Sequence, residues 1–207
     1  MGSEMCIRDS HLYGYDLPDG LEAHGPLPEP LITPTTKAQK GGHDEPVTCA
    51  EVADRGLVEP GLWKEMQEVA LRLFERGTDL AKSAGFVLAD TKYEFGLGAN
   101  NELLLIDEVH TPDSSRFWAA SSLEERLAQG VGPESFDKEP VRLALRAAGF
   151  TGDGPVPELD QQVWGDTSAR YVKIFESLTG TAFSPGRQPA ADRLASNLQP
   201  FLESSTP

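Results

Sequence analysis

The most constraining feature of the sequence is the segment 86–109, in which a short turn separates two runs of strand-forming residues. The first run, FVLADTKYEFGL at 86–97, and the second, ELLLIDEV at 102–109, are rich in β-branched, aromatic and leucine side chains. The residues between them, GANN at 98–101, include types that tolerate the positive φ angles of tight turns. The pattern predicts a β-hairpin.

Alternation of side chains along the first strand places Asp90, Lys92 and Glu94 on one face, and leaves the more apolar opposite face, from Ala89 onward, for the core. Pairing the residues that flank a four-residue loop puts Lys92 opposite Asp107. Asp107 then lies diagonal to Glu94, at about 7–8 Å between backbones. The hairpin is therefore expected to bring two carboxylates and one ammonium together.

Two interpretations of this charged face stay open. Carboxylates about 5 Å apart repel by about 3 kcal/mol at an effective dielectric constant of about 20, so a cation is expected beside them. Lys92 supplies one if the face is an ordinary solvated surface. A divalent metal bound through oxygen, or a phosphate site, is the alternative.

The polar turn TPDSSR at 111–116 favours an anion-binding site at the end of the hairpin. It combines hydroxyls, an acid and a guanidinium, and arginine forms bidentate contacts with phosphates and carboxylates.

Composition limits the classes of partner. The chain has 207 residues and a net charge of −15, which argues against nucleic acid or an anionic membrane as a partner. An acidic protein that binds phosphates must concentrate its few cations locally. The candidates for such a group are Lys37, Lys92, Arg116 and Lys138. No apolar run is long enough to span a bilayer, and two cysteines imply no disulfide framework, which fits a reducing cytoplasm.

Apolar spacing predicts helices on either side of the hairpin. The clearest is 60–84, which is expected to end at Gly85 and to pack on the core face of the hairpin. Further helices are expected at 121–129 with Ser121 as N-cap, at 137–148, at 166–178 with Asp166 as N-cap, and weakly at 190–198. The expected fold class is α/β, of the α+β type, with a mainly antiparallel sheet and packed helices.

Several strings resemble the SAICAR synthetase family, the phosphoribosylaminoimidazole-succinocarboxamide synthases of purine biosynthesis. They are ADTKYEFG at 89–96, LLIDEVHTPDSSRFW at 104–118 and SFDKEPVR at 135–142. PLPEPLITPTTKAQKGGHDEP at 26–46 and DTSARYVKIFESLTGTAF at 166–183 resemble further parts of the family. The resemblance covers about residues 12–183 in the family's order.

The resemblance implies an ATP-grasp-like fold and an ATP-dependent ligase. Its small-molecule substrates would be carboxyaminoimidazole ribotide, L-aspartate and ATP, with Mg²⁺ as cofactor, and an oligomer is possible. By the same resemblance, Glu94 and Asp107 would bind Mg²⁺ on the ATP phosphates. Lys92 would neutralise the transferring phosphoryl group or the substrate carboxylate.

The resemblance also implies substrate-binding positions. Arg116, with Ser115 and Asp113, would hold the ribotide. Substrate contacts are further implied for Lys37, His43, Asp44, Asp137 and Lys138. From the sequence alone Asp137 is equally explained as a helix N-cap.

Domain organisation is expected as follows. Residues 1–10, MGSEMCIRDS, resemble translated adapter sequence, 11–183 form the substrate-binding and C-terminal part of the family, and 184–207 form a frayed tail. The family's N-terminal lobe over the ATP phosphates has no counterpart here. The alternatives to the ligase are therefore a non-catalytic fragment of it or a different ATP-dependent carboxylate–amine ligase.

Overall fold

The computed structural model describes residues 11–37, 44–152 and 154–204. The strands are β1 (His11–Leu12), β2 (Tyr15–Asp16), β3 (Phe86–Thr91), β4 (Glu94–Leu97), β5 (Leu103–Ile106) and β6 (Ser115–Ala119). The helices are α1 (Cys49–Asp54), α2 (Pro60–Ser83), α3 (Ala120–Ala128), α4 (Glu139–Ala147), α5 (Gln161–Thr179) and α6 (Ala190–Ser204).

The strands of the described residues form three separate two-stranded antiparallel pairs, β1–β2, β3–β6 and β4–β5. The expected mixed fold, with antiparallel strands and packed helices, is therefore present, but the described strands do not join into one sheet. Neither β1–β2 nor β4–β5 adds a strand to the β3–β6 pair.

The predicted hairpin exists as β4–β5, but its register differs by one residue from the prediction. Leu97 pairs with Leu103, where pairing with Glu102 was expected. The loop includes Glu102, because Gly98 donates its N–H to the Glu102 carbonyl at 2.9 Å. The Glu102 carboxylate in turn accepts from the N–H of Asn100. The shift removes Lys92 from its predicted position opposite Asp107.

The single strand predicted over 86–97 is two strands with different partners. β3 pairs with β6, and the register changes between Leu88 and Asp90, so that Asp90 lies across from Arg116. The predicted core face leaves out the buried residues at the start of β3 and is wrong at Leu97. Phe86 and Leu88 are buried, whereas Leu97 is 53% exposed.

The core lies between the β3–β6 pair and the helices α2 and α5. Its buried members are Ala81, Phe86, Leu88, Phe117 and Ile174, with Phe74 and Leu178 packed against them. The 60–84 helix was predicted to pack on the core face of the hairpin, and it packs instead on β3 of the β3–β6 pair. α2 presents Ala81 to this core and ends at Ser83, before Gly85 with its φ of +84°.

Helix starts were predicted less well than helix positions. α3 begins at Ala120 directly after β6 and has no side-chain cap, so the predicted Ser121 capping box is absent. α5 begins at Gln161 with Asp160 as N-cap, which places Asp166 inside the helix. The helix predicted weakly at 190–198 is present as α6, which extends to Ser204. No described helix is long and apolar enough to cross a membrane.

Candidate functional site

A cleft of about 280 Å³ lies at the end of the β3–β6 pair. Three segments line it: the end of β3, the loop that enters β6, and the segment that enters α4. The lining residues are Asp90, Thr91, Lys92, Asp113, Ser114, Ser115, Arg116, Asp137, Lys138 and Arg142.

The floor of the cleft depends on the β3–β6 register. Because Asp90 pairs with Arg116 across the ladder, the Arg116 Nη1 donates to Asp90 Oδ2 at 2.8 Å. Beside them the hydroxyls of Thr91 and Ser115 are 2.8 Å apart. Desolvation by the cleft walls raises the pKa of the Asp90 carboxyl, and the Arg116 guanidinium opposes this rise. Arg116 is therefore held by one carboxylate with further N–H donors available to a ligand.

The loop before β6 is a tight polar turn. Thr111 accepts the Ser115 N–H through its carbonyl at 2.9 Å, and its hydroxyl accepts the N–H groups of Asp113 and Ser114 at 3.3 and 3.4 Å. This turn presents the Asp113 carboxylate to Lys138, whose Nζ lies 3.4 Å away. Two predicted site residues from separate segments thus meet.

The Asp137 side chain is a buried carboxylate with two donors. Its Oδ2 accepts from the Ser135 hydroxyl and its Oδ1 from the N–H of Glu139, both at 2.6 Å. Asp137 is only 2% exposed. Lys138 occupies the N-cap position of α4. The Asp137 side chain nevertheless satisfies an N-terminal N–H of that helix, in partial agreement with the predicted cap.

Helix α5 supports two walls of the cleft from behind. Arg170 donates to the Ser135 carbonyl and lies over the Phe136 ring, with 5.2 Å from its Cζ to the ring centroid. The Tyr171 hydroxyl donates to the Pro112 carbonyl at 3.4 Å. Desolvation, followed by the charge of Asp113, raises the pKa of Tyr171 to about 12. The sequence analysis predicted no site residue in this helix.

A second group of charges lies beside the cleft and shares Lys92 with it. We call it the Glu94 cluster: Lys37, Asp44, Lys92, Glu94 and Asp107. Lys37 Nζ lies 2.5 Å from Glu94 Oε2, and Lys92 Nζ lies 3.4 Å from Glu94 Oε1 and 3.3 Å from Asp44 Oδ2. The hydrogen bond from Lys37 holds the pKa of Glu94 below its usual range.

Asp107 joins this cluster through its charge. Together with Glu94 and Asp44, it raises the pKa of Lys37, the bond to Glu94 being the main cause. Asp107 follows β5 with a φ of +66°, an uncommon conformation for a residue other than glycine. The convergence of acid and base on one patch was thus predicted. The partners differ, because Lys92 contacts Asp44 and Glu94.

The predicted site residues are divided between the two groups. The cleft contains Lys92, Asp113, Ser115, Arg116, Asp137 and Lys138, and the Glu94 cluster contains Lys37, Asp44, Glu94 and Asp107. His43 lies outside the described residues. Asp90, Thr91, Ser114, Arg142 and Arg170 were missed. For Arg142 a signal was available, because this residue ends the string SFDKEPVR at 135–142.

The side chains that could bind a metal ion at the site are carboxylates. No group of three or more His, Cys, Asp or Glu side chains within the described ranges is arranged to hold a metal ion. Glu94 and Asp107 are a pair of carboxylates that both act on the Lys37 ammonium. Mg²⁺ takes one or two protein carboxylates and completes its shell with water and phosphate oxygens, so a pair suits Mg²⁺ on a nucleotide.

Comparisons with known proteins agree on one family. The sequence model of SAICAR synthetase matches residues 2–155. A putative phosphoribosylaminoimidazole-succinocarboxamide synthase 2 of Mesorhizobium japonicum is 43% identical over 196 residues, covering 94% of this chain and 63% of that protein. The phosphoribosylaminoimidazole-succinocarboxamide synthase of Bacteroides thetaiotaomicron is 41% identical over 192 residues, covering 91% of this chain and 61% of that protein.

A solved structure is similar as well. SAICAR-synthase from Saccharomyces cerevisiae, complexed with SAICAR, has a TM-score of 0.72 and 36% identity, covering 89% of this chain and 58% of that one. The chain thus spans about three fifths of the length of these relatives. The family match over most of the chain, the sequence identities and the shared structure show that this chain belongs to the SAICAR synthetase family.

Proposed function

We propose that this chain provides the substrate site of an ATP-dependent ligase that joins carboxyaminoimidazole ribotide to L-aspartate. The products are SAICAR, ADP and phosphate. The supporting observation is the cleft, which collects Lys92, Arg116, Lys138 and Arg142 in a chain with a net charge of −15. The SAICAR in the yeast relative supports the same ligand class.

The reaction requires activation of a carboxylate. An oxygen of the ribotide carboxylate attacks the γ-phosphorus of ATP, the bond from phosphorus to the ADP oxygen breaks, and an acyl phosphate forms. The aspartate amine then attacks the acyl carbon, phosphate leaves with its bonding electron pair, and the new amide nitrogen loses a proton. Both encounters join anions, so the main tasks of the protein are charge neutralisation and alignment.

Arg116 is the proposed anchor for the ribotide, with Ser115 and Asp113 beside it. Its guanidinium is already oriented by Asp90 at 2.8 Å, and a preoriented fork suits a phosphate. Lys92 is the proposed neutralising group for the transferring phosphoryl or the substrate carboxylate. It lies on the border between the cleft and the Glu94 cluster, where the two reactants would meet.

Glu94 and Asp107 are the proposed ligands of Mg²⁺. When bound with ATP, the ion would neutralise charge on the phosphates. The Glu94 carboxylate is ionised at neutral pH, as a metal ligand must be, and the hydrogen bond from Lys37 lowers its pKa further. Lys37 and Asp44, next to this pair, are proposed substrate contacts, with Asp137 and Lys138 on the α4 side. His43, which lies outside the described residues, is a further proposed contact.

The finer features of the family are proposed with the reaction. They are the ATP-grasp-like fold, use of ATP as the nucleotide, and a cytoplasmic location, which the low cysteine content supports. The oligomeric state is left to measurement.

The test is ADP release by this chain with Mg-ATP, the ribotide and L-aspartate. ADP formation that requires all three substrates, and that Glu94→Gln abolishes while the circular dichroism spectrum is unchanged, supports the ligase. Full activity in Glu94→Gln would remove the metal assignment. Release that persists when a ribotide analogue replaces the ribotide would favour a different carboxylate–amine ligase.

A binding function without catalysis is the second candidate, because the chain spans only about three fifths of its relatives. Calorimetric titration with the ribotide separates the two. Ribotide binding that Arg116→Lys weakens, in the absence of ADP release, assigns the chain as a binding module. Absence of both binding and ADP release contradicts the proposed function.

A further inference from the structure

Tyr93 and His110 form a hydrogen-bonded ring pair, and both are adjacent in sequence to residues of the candidate site. The Tyr93 hydroxyl lies 2.5 Å from Nε2 of His110. The two rings meet edge to face, with centroids 5.6 Å apart and planes inclined at 66°. Neither residue was among the predicted site residues.

Helix α2 provides a seat for the imidazole at Gly77. A Cβ atom added to this buried glycine would lie 2.3 Å from the His110 Cε1, so the ring occupies the space that any other side chain would fill. His110 also has a φ of +53°, an uncommon conformation for a residue other than glycine. Such a conformation persists where the surroundings fix it.

The hydrogen bond between the Tyr93 hydroxyl and His110 Nε2 lies in a partly buried setting. An unpaired polar group is costly in such a place, so we expect the two side chains to stay bonded to each other.

The position of the pair in the chain allows it to influence the backbone of the site. Tyr93 lies between Lys92 and Glu94, in the break between β3 and β4. His110 directly precedes Thr111, which organises the loop that enters β6. The Tyr93–His110 bond thus connects the two segments whose side chains form the cleft and the Glu94 cluster.

We infer that Tyr93 and His110 are positioning residues that hold Lys92 and Glu94 in place for the reaction. The Gly77 seat fixes the imidazole, the imidazole fixes the Tyr93 ring, and the ring fixes the backbone between the two charged residues. A second tie, from the Lys92 N–H to the Ser114 carbonyl at 3.0 Å, secures the other side of that backbone. This inference rests on the proposed function for its consequence in catalysis.

The decisive variants are Tyr93→Phe, which removes one oxygen, and Gly77→Ala, which displaces the imidazole. Matched controls are Tyr15→Phe, whose hydroxyl bonds the Ile32 carbonyl and lies 3.5 Å from Cys49 Sγ, and Gly165→Ala in α5, where an added Cβ would meet no atom within 4 Å. His110→Gln retains a group that can bond to the Tyr93 hydroxyl, whereas His110→Ala does not.

The primary measurement is the pKa of the Glu94 carboxyl, by ¹³C NMR titration of the folded chain. We expect Tyr93→Phe, Gly77→Ala and His110→Ala to raise it toward the ordinary glutamate range, because Glu94 moves away from Lys37. His110→Gln should stay nearer the wild-type value, and both controls should match it. A Glu94 pKa in Tyr93→Phe equal to that of the wild type overturns the inference, whether or not Gly77→Ala folds.

ADP release provides the second measurement at a temperature where all variants are folded. In an active chain, Tyr93→Phe should lower kcat by about 10- to 100-fold with a smaller change in the KM for Mg-ATP, because a small misplacement of reacting groups acts mainly on kcat. A chain without activity bears on the ligase reaction alone and leaves ribotide binding to decide between the two candidate functions. The Glu94 titration still decides on the positioning role, because it requires no turnover.

Discussion

The Lys37 ammonium donates a 2.5 Å hydrogen bond to the Glu94 carboxylate, although 57 positions separate the two residues in the chain. This contact joins the Pro-rich segment before α1 to the strand pair β4–β5. It gives the proposed site a third segment that the hairpin alone does not supply. Its electrostatic consequences are measurable.

Removing this contact should change the titration of Glu94. In Lys37→Met we expect the pKa of Glu94 to rise toward its usual range, and in Lys92→Met to rise less, because the bond to Lys37 is the main cause of the lowering. NMR titration of the carboxyl carbon measures both. A larger rise in Lys92→Met would contradict the ranking.

The same pair should make stability depend on pH in two windows. The depressed pKa of Glu94 contributes stability above the unfolded-state value that is lost as pH falls through the folded-state value. The raised pKa of Lys37 contributes stability that is lost as pH rises through its own folded-state value. The stability difference between wild type and Lys37→Met should therefore vanish in acid, as urea titrations at several pH values would test.

Gly77→Ala should destabilise the fold, contrary to the usual effect of this substitution in a helix. At an open helical position alanine is favoured over glycine by about 0.8–1 kcal/mol. Here the new Cβ meets the His110 ring, and overpacking of this kind costs about 1–3 kcal/mol. Urea unfolding measures the loss, and the double variant Gly77→Ala, His110→Ala should recover part of it. Gly165→Ala in α5, where an added Cβ would meet no atom within 4 Å, is the matched control.

Arg170→Met should loosen the α4 side of the cleft. The variant keeps an unbranched side chain but loses the donor to the Ser135 carbonyl and the charge over Phe136, a loss of about 1–2 kcal/mol in the free energy of unfolding. Arg126→Met, which removes a more exposed bond to the Gly132 carbonyl, should cost less. Equal losses in the two variants would argue against the supporting role of α5.

Asp137→Ala should be more costly than removal of an exposed helix cap. It leaves the Ser135 hydroxyl and the Glu139 N–H without their acceptor in a buried place, a loss of about 1–3 kcal/mol. Asp160→Ala removes the exposed N-cap of α5 and should cost about 1 kcal/mol. Asp137→Asn retains one acceptor oxygen and should lie between wild type and Asp137→Ala. Thermal or urea unfolding of the three variants checks this order.

Local periodicity predicted the positions of the elements well. The apolar stripe of α2 and the strand character of 86–97 depend on neighbours in sequence, and both are present. Partner choice was not predictable in the same way. β3 pairs with β6, about 30 positions along the chain, and alternation alone does not distinguish that partner from the adjacent strand.

The candidate site was predicted in its charges but not in its pairings. The bulge between Leu88 and Asp90 shifts the alternation of side chains along β3. The longer loop shifts the β4–β5 register, so the partners predicted across the hairpin are displaced by one position. Arg170 could not be predicted from the sequence, because it contributes by donating to the backbone carbonyl of Ser135 from a helix that is remote in sequence. No pattern within the 161–179 segment points to Ser135.

The β3–β6 ladder has a consequence for how length changes are tolerated. The cleft floor is fixed by pairs such as Thr91–Ser115. The loop 98–102 joins β4 to β5 at the Leu97–Leu103 end of their ladder, opposite the end at which Glu94 pairs with Ile106. Insertions and deletions in such a loop can be absorbed without shifting the ladder. Residues 98–102 are therefore a suitable place for a spectroscopic tag or a splice of foreign sequence that leaves the cleft charges in register.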